Sequence, residues 1–333
     1  MDPITQATAG AIAAQLTSKK VNLRLATFCG VLAGMAADLD ILIKSANDPL
    51  LAVEMHRHFT HAIFFIPFGG LLVAFLIWLL LLRKHNFKEL AIYSIAAYAT
   101  HGCVDALTSY GTMLYWPFYS QRIAWDVMPI IEPFFTIPLL IMVMLACILK
   151  AKNFSKAAII YTSLFLTIAF IQKQRIDNYV VELAASRGHT IEKQKFNPTI
   201  GNILLWRSVY QAADKYYVDA IRAGRNIKLY EGTEVAYLDP NDVISQLATR
   251  RYITKDIERF TNFSQGFIYY HPNNKNIIAD LRYGTLPNDN YSLWGIKLKP
   301  EAPNEHVDYV FMRDFTSTKI DIFKNMLYGK ELD

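Results

Sequence analysis

Cysteine is scarce in this chain and absent from its second half. The three that occur, Cys29, Cys103 and Cys147, all lie in apolar stretches, where a thiol serves as a small core hydrophobe. A disulfide framework and a thiolate metal site are therefore not expected, and the cysteines say nothing about redox compartment. A cleavable signal peptide is not expected either: Asp2 stands where a basic stretch would be needed, and no apolar core leads to a small-residue cleavage site. Internal repeats and low-complexity tracts are absent. Charge is missing altogether from residues 62–82 (AIFFIPFGGLLVAFLIWLLLL), a run long enough at 1.5 Å per residue to cross a hydrocarbon core roughly 30 Å thick.

What is present is apolar and unevenly spread. Of the 333 residues, 53% are hydrophobic and the mean hydropathy is +0.17, too high for an ordinary soluble enzyme. Residues 129–149 read as a second span and 156–171 as a shorter third. Residues 25–43 and 90–110 are apolar until they meet Asp38 and Asp40, or His101 and Asp105. Residues 3–17 have a helical pattern but are short, and read as a partly inserted helix. The expected fold is thus a membrane α-helical bundle of about five spanning helices plus a short N-terminal helix over 1–172, followed by a soluble α+β domain over 173–333. In that domain, alternation in 203–211 and 215–223 reads as a hairpin, with further strands near 266–270, 276–282, 291–298 and 307–313, giving a mostly antiparallel sheet. Helical patterns cover 174–187, 241–262 and 316–327. The net charge of +5 is explained by basic loops, so no nucleic-acid partner is expected.

Those loops orient the bundle, because Lys and Arg beside spanning helices favour the cytoplasm. Lys19, Lys20 and Arg24, then Arg83, Lys84 and Lys88, then Lys150, Lys152 and Lys156 fall on one face if the helices alternate. The opposite, non-cytoplasmic face receives Asp38, Asp40, His56, His58, His61, His101, Asp105, Asp126 and Glu132, and the C-terminal domain is expected there too. Trp116 and Trp125 suit an interfacial belt. The cytoplasmic half shows no matching polar residues.

Charge near a bilayer centre costs on the order of 3 kcal/mol, so the acidic residues need a counterpart. A bound cation supplies one, and His with carboxylates suits zinc. His101 and Asp105 are four apart, which puts both on one helix face; a hydrogen-bonded couple is the alternative. Asp38 and Asp40 are two apart and diverge unless the helix ends or unwinds there. Helical spacing favours His58 with His61 over His56 with His61. Arg57 and Arg122 are candidates for gripping a phosphate or carboxylate, or for anchoring to lipid headgroups.

The order of motifs resembles the YdjM-type inner-membrane metal-dependent hydrolases. The resemblance covers about residues 1–150 and rests on Met1-Asp2-Pro3-Ile4-Thr5, Asp38-Leu39-Asp40, His56-Arg57-His58-Phe59-Thr60-His61, His101 and Asp105 running on to Gly111, and Trp116-Pro117-Phe118. It implies distant kinship with zinc-dependent phospholipase C and related single-strand nucleases. By matching positions it implies Asp40, His56, His101 and Asp105 as metal ligands, with His61 and Asp38 beside them, and so prefers His56 where bare spacing preferred His58. Gln6 stands where family members carry His, which would weaken one metal subsite. Ala37, His58, Ala62 and Glu132 replace Pro, Gly, Ser and Asp.

The resulting expectation is a multi-pass protein of the bacterial inner membrane that hydrolyses a lipid or lipid-linked phosphate ester with a divalent metal such as zinc. Asp40, His56, His61, His101 and Asp105 would hold metal. Asp38 would position or deprotonate the attacking water, and Arg57 or Arg122 would neutralise charge. The competing readings are an ion or proton transporter and a non-catalytic, metal-stabilised envelope scaffold.

Overall fold

The computed structural model describes residues 1–19, 22–81, 83–246, 251–299, 301–302 and 304–332. Lys20, and residues 247–250 of the helix expected over 241–262, lie outside the described residues. By internal contacts the chain forms two units. One comprises Met1–Leu42, Met55–Ile171 and Ile200–Asn202; the other comprises Ile43–Glu54, Gln172–Thr199 and Ile203–Asp333. The second unit thus includes a short segment from within the helical half.

In the first unit, helix α1 (Pro3–Thr17) starts at an Asp2 cap whose carboxylate accepts from the amides of Ile4 and Thr5, with Pro3 in the first turn. Within the unit α1 buries Thr5, Gln6, Thr8 and Gln15. It packs on α2 (Leu23–Met35) through glycine. A Cβ on Gly30 would stand 2.7 Å from the Ala11 Cα, and one on Gly34 would stand 2.6 Å from the Gln6 carbonyl, so the Gly30-x-x-x-Gly34 face lets two backbones touch. At the far end of α1, Gln15 donates to Thr27 Oγ1 (2.8 Å) and the Val143 carbonyl (3.2 Å), and accepts from Ser155 Oγ (2.7 Å). These are uncharged polar side chains, not carboxylates or histidines, and they hydrogen-bond to one another and to the Val143 carbonyl.

Three helices among the described residues are long and apolar enough to cross a membrane: Leu23–Leu42, Ile63–Leu80 and Asn153–Ser186. The first is α2 with its continuation, the second includes α4 (Ile66–Leu80), and the third is α7. The expected five are not all matched. Helix α5 (Phe87–Ala106) has the length, at 20 residues, but carries Lys88, Glu89, His101 and Asp105; α6 (Pro133–Ile148) is apolar but has only 16. The span expected over 156–171 and the helix expected over 174–187 are one continuous 34-residue helix, α7. Cys29 is buried and Cys147 sits 2.9 Å from Thr27 Oγ1, but Cys103 lies on an exposed face of α5, so the core role expected of all three fails there.

The second unit contains two four-stranded antiparallel sheets, ordered β1-β2-β3-β4 and β5-β6-β7-β8. The hairpin is present as β2 (Leu205–Ala212) and β3 (Lys215–Ala223), joined through Ala213 at φ +50. The strands expected after it are β5 (Ile268–His271), β6 (Asn274–Asp280), β7 (Trp294–Lys297) and β8 (Asp308–Phe311). Two strands were not expected, β1 (Lys193–Pro198) and β4 (Ile227–Ala236), whose lysines and glutamates mask any alternation. Trp206, Tyr210 and Ile221 pack with Ile176 and Val180 of α7, while Val209, Tyr216 and Val218 pack with Phe267, Tyr269 and Leu281 of the second sheet. Helices α8 (Pro240–Gln246), α9 (Arg251–Phe263) and α10 (Ser317–Tyr328) complete the unit. The single-turn helix α3 (Leu51–Met55) begins in it.

Arg259 of α9 holds three carboxylates of this unit at once. It makes paired hydrogen bonds to both oxygens of Asp48 (3.0 and 3.0 Å) and of Glu54 (2.7 and 2.7 Å), and a fifth to Asp256 (2.9 Å). Burial alone would raise Asp48, but the Arg259 hydrogen bonds and charge outweigh it and hold its carboxyl below the usual range. A depressed folded value gives stability that is fully present above the unfolded value, about 3.9, and is lost as pH falls through the folded value. Acid unfolding of the second unit, followed by circular dichroism, should therefore lose an increment below about pH 3.9 that is absent from Asp48→Asn. In the helical unit, Gly30→Val should destabilise by about 1–3 kcal/mol through overpacking, read as a lower thermal midpoint in detergent.

Candidate metal centre

The His and Asp residues meet because three local irregularities bring them together. Helix α2 tightens into a 3-10 turn over Ala36–Leu42, which advances about 120° per residue. The tighter winding brings residues two apart to about 120° from one another around the axis, against about 160° in an α-helix, and one oxygen each of Asp38 and Asp40 lies within 4.8 Å of the other and of a His56 nitrogen. The segment 56–61 turns sharply through Arg57, held at φ +63, a region costly for a side-chain-bearing residue. Its amide donates to Asp40 Oδ2 (2.8 Å) and its carbonyl accepts from the Met113 amide (3.0 Å). Helix α5 presents His101 and Asp105 on one face, and Gly102 between them leaves room for the His61 carbonyl, which a Cβ would strike.

Four donor atoms converge: Asp38 Oδ1, His61 Nε2, His101 Nε2 and Asp105 Oδ2. The two imidazole nitrogens are 3.0 Å apart. His61 Nε2 lies 3.4 Å from Asp38 Oδ1 and 3.1 Å from Asp105 Oδ2; His101 Nε2 lies 3.3 Å and 3.6 Å from the same atoms. Ligands at 2.0–2.1 Å from a tetrahedral ion stand about 3.3–3.4 Å from one another, so these spacings fit a zinc-sized cation. Asp38 Oδ1 and Asp105 Oδ2 are buried and accept no well-directed hydrogen bond among the described residues, which is what oxygens reserved for a metal should show. The donor set therefore fits such an ion. Asp38, Asp40 and His56 form a second group of three, sharing Asp38 with the first.

The surrounding hydrogen bonds aim these donors. His101 Nδ1 lies 2.5 Å from the Gly34 carbonyl; a carbonyl only accepts, so Nδ1 carries the proton and Nε2 is left with a lone pair. His61 Nδ1 lies 3.3 Å from Asp40 Oδ2, and His56 Nδ1 lies 2.9 Å from Asp40 Oδ1. Thr60 Oγ1 adds a bond to Asp40 Oδ2 (2.8 Å). Asp40 is thus a hub that orients two histidines. Gln6 is in the site: its amide nitrogen donates to Asp105 Oδ1 (3.0 Å), as does the Met1 amine, while its own Oε1 is buried without a hydrogen-bond partner among the described residues.

Arg57 and Arg122 flank Tyr110, their guanidinium carbons 4.8 and 5.2 Å from its ring centre. Arg57 Nε lies 3.2 Å from Asp105 Oδ2 and its Nη1 donates to Thr108; Arg122 donates to the His56 carbonyl (2.8 Å). His58 stands instead against Trp116 (ring centres 5.7 Å), outside both donor groups. Helical spacing misled there because 56–61 is a set of tight turns. Glu132 caps α6 through the Phe134 amide, and neither it nor Asp126 belongs to a donor group. Thr60, Gly34 and Gly102 were not singled out from the sequence; Thr60 and Gly102 stand beside a histidine of the motifs, and Gly34 carries no such sign.

The model of the YdjM inner membrane protein family matches residues 1–176, just over half of the chain and the part that carries every donor above. The chain belongs to the YdjM inner membrane protein family. With that family name, the apolar helices are those of an inner membrane protein. A relative of this YdjM-family chain is the uncharacterized protein YfhP of Bacillus subtilis (strain 168), 26% identical over 207 residues, which are 61% of each chain. The chain thus spans less than two thirds of that relative. No solved structure matches it.

Removing the hub has a definite expected result. Asp40→Ala would strand the Arg57 amide, the Thr60 hydroxyl and two imidazole nitrogens, and buried donors without partners cost about 1–3 kcal/mol each. A loss of about 3–5 kcal/mol should appear as a lowered thermal midpoint, and Asp40→Asn, which keeps an acceptor, should lose less.

Proposed function

We propose that this YdjM-family chain is a membrane-bound, metal-dependent hydrolase that cleaves a phosphate ester of a lipid or lipid-linked molecule at the outer membrane–water interface, in the manner of zinc-dependent phospholipase C. The observation that carries the reading is the spacing of Asp38 Oδ1, His61 Nε2, His101 Nε2 and Asp105 Oδ2, between 3.0 and 3.6 Å for every pair with a histidine. In this reading α5 and α6 also cross the bilayer, making five spans. The basic loops lie in the cytoplasm, and the C-terminal domain lies on the other side.

Asp38, His61, His101 and Asp105 would hold one zinc ion, and Asp40 and His56, with Asp38 shared, a second. Zinc supplies a Lewis acid for phosphoryl oxygens and a water acidified toward neutrality. The chain's own residues do the rest. The Gly34 carbonyl and Asp40 hold the imidazole rings at fixed angles, so no reorganisation is needed when substrate arrives. Asp38, the most accessible carboxylate of the set with its side chain 23% exposed, is the one that would position an attacking water. Arg122, part-buried beside Tyr110, suits the phosphate; Arg57 is committed to Asp105 and Thr108 and balances the charge of the acidic cluster.

The protein purified in detergent should contain zinc or a similar ion by elemental analysis and turn over a phosphodiester or phospholipid, and Asp105→Asn should lower turnover by at least about a hundredfold while leaving the fold intact. Well-folded protein free of metal would sink the proposal. Flux of ions through proteoliposomes without hydrolysis would favour a transporter, and unfolding of Asp105→Asn would favour a scaffold whose metal is structural.

A further inference from the structure

The stretch between the two sets of donors has little to hold it by itself. After Leu42 the chain has no regular structure until α3, a helix of five residues, and a helix that short has no stability in isolation. Yet Asp40 ends one side of this stretch and His56 begins the other, and their side chains must meet at 2.9 Å. Closing a flexible loop between them opposes that contact entropically.

The second unit supplies the restraint. Ile43–Glu54 belongs to that unit by its contacts, and Arg259 grips it at two points, Asp48 and Glu54, with paired bonds to each carboxylate. Asp48 also accepts from the Leu50 amide (3.1 Å) in the turn that leads into α3. Arg259 is itself tethered to Asp256, a fully buried carboxylate on its own helix that further accepts from the Val307 amide (3.1 Å) and faces His306 Nδ1 (2.9 Å). Asp48, Asp256 and His306 are close enough together to hold a cation, but the guanidinium already spans both carboxylates, with Nη1 donating to each. The cluster is therefore a clamp and not a second metal centre. Paired guanidinium–carboxylate bonds fix direction as well as distance, so Glu54, two residues before His56, is held in orientation.

We propose that Arg259 is a positioning residue for the metal centre: by clamping Asp48 and Glu54 it fixes the connection between Asp40 and His56 and so sets the geometry of the donors at both of its ends. The C-terminal domain thereby has a role in the centre without contributing a ligand to it. The proposal rests on the metal reading above only for its metal readout.

Two measurements on the full-length protein in detergent test it: zinc affinity by competition with a chromophoric chelator, and amide hydrogen exchange over 43–61. Arg259→Gln and Glu54→Gln should each weaken zinc binding about tenfold or more, within the range for residues that orient ligands, with Arg259→Lys in between. Both should speed exchange of the Arg57 amide, which is bonded to Asp40. Arg187→Gln, which breaks the Arg187–Asp219 pair in the same unit, should do neither. Glu54→Gln carries the test should Arg259→Gln fail to fold. Unchanged zinc affinity with an unchanged Arg57 amide, or an equal effect from Arg187→Gln, overturns the clamp. Wild-type protein that binds no zinc overturns the metal reading instead, and the Arg57 amide then decides the clamp alone.

Discussion

Two carboxylate oxygens and two imidazole nitrogens, buried together at separations little beyond a hydrogen bond, are the constraint from which the rest of the helical unit follows. Such a group is unfavourable unless a proton, a cation or a guanidinium offsets its charge, and Arg57 beside Asp105 offsets only part of it. Bringing the donors that close also demands that backbones approach. Gly34 lets its carbonyl reach His101, Gly102 makes room for the His61 turn, and Arg57 accepts a left-handed backbone so that its amide can bond Asp40. Each would be a local weakness in an ordinary bundle; here each follows from one crowded set of atoms.

Asp40 shows how the arrangement is made rigid. Its two oxygens together face the Arg57 amide, the Thr60 hydroxyl and nitrogens of His56 and His61. A carboxylate so engaged orients its neighbours while standing in the second donor group with Asp38 and His56, whereas Asp38 belongs to both groups. Gln6 is the counterpart on α1. An amide that donates to Asp105 Oδ1 keeps that carboxylate turned so that Oδ2 faces the cluster.

Much of the architecture was legible because it rests on local rules. Length and hydropathy located α4 and α7, alternation located the β2–β3 hairpin, and an i, i+4 spacing paired His101 with Asp105. Legibility ended where a local signal met a competing demand. Helix α5 carries the site's polar residues and so loses the hydropathy of a span. Strand β1, with two lysines, and β4, with one lysine and two glutamates, show no clean alternation. His58 looked like a partner of His61 only under helical geometry, and the chain there is not an ideal helix.

The sequence by itself determined which residues stand out as candidates for a site, since His and Asp in apolar segments are costly enough to need a counterpart, and it determined the division into an apolar half and a mixed half. Only the tertiary structure decided which of those residues share an ion-sized space, which merely orient the others, and that Arg259, about 200 residues downstream, grips the connection between them. The reason is physical. Cost and periodicity belong to a residue and its near neighbours, whereas coordination is a relation among atoms on separate elements, set by how closely backbones can approach and by which hydrogen bonds turn each ring and carboxylate.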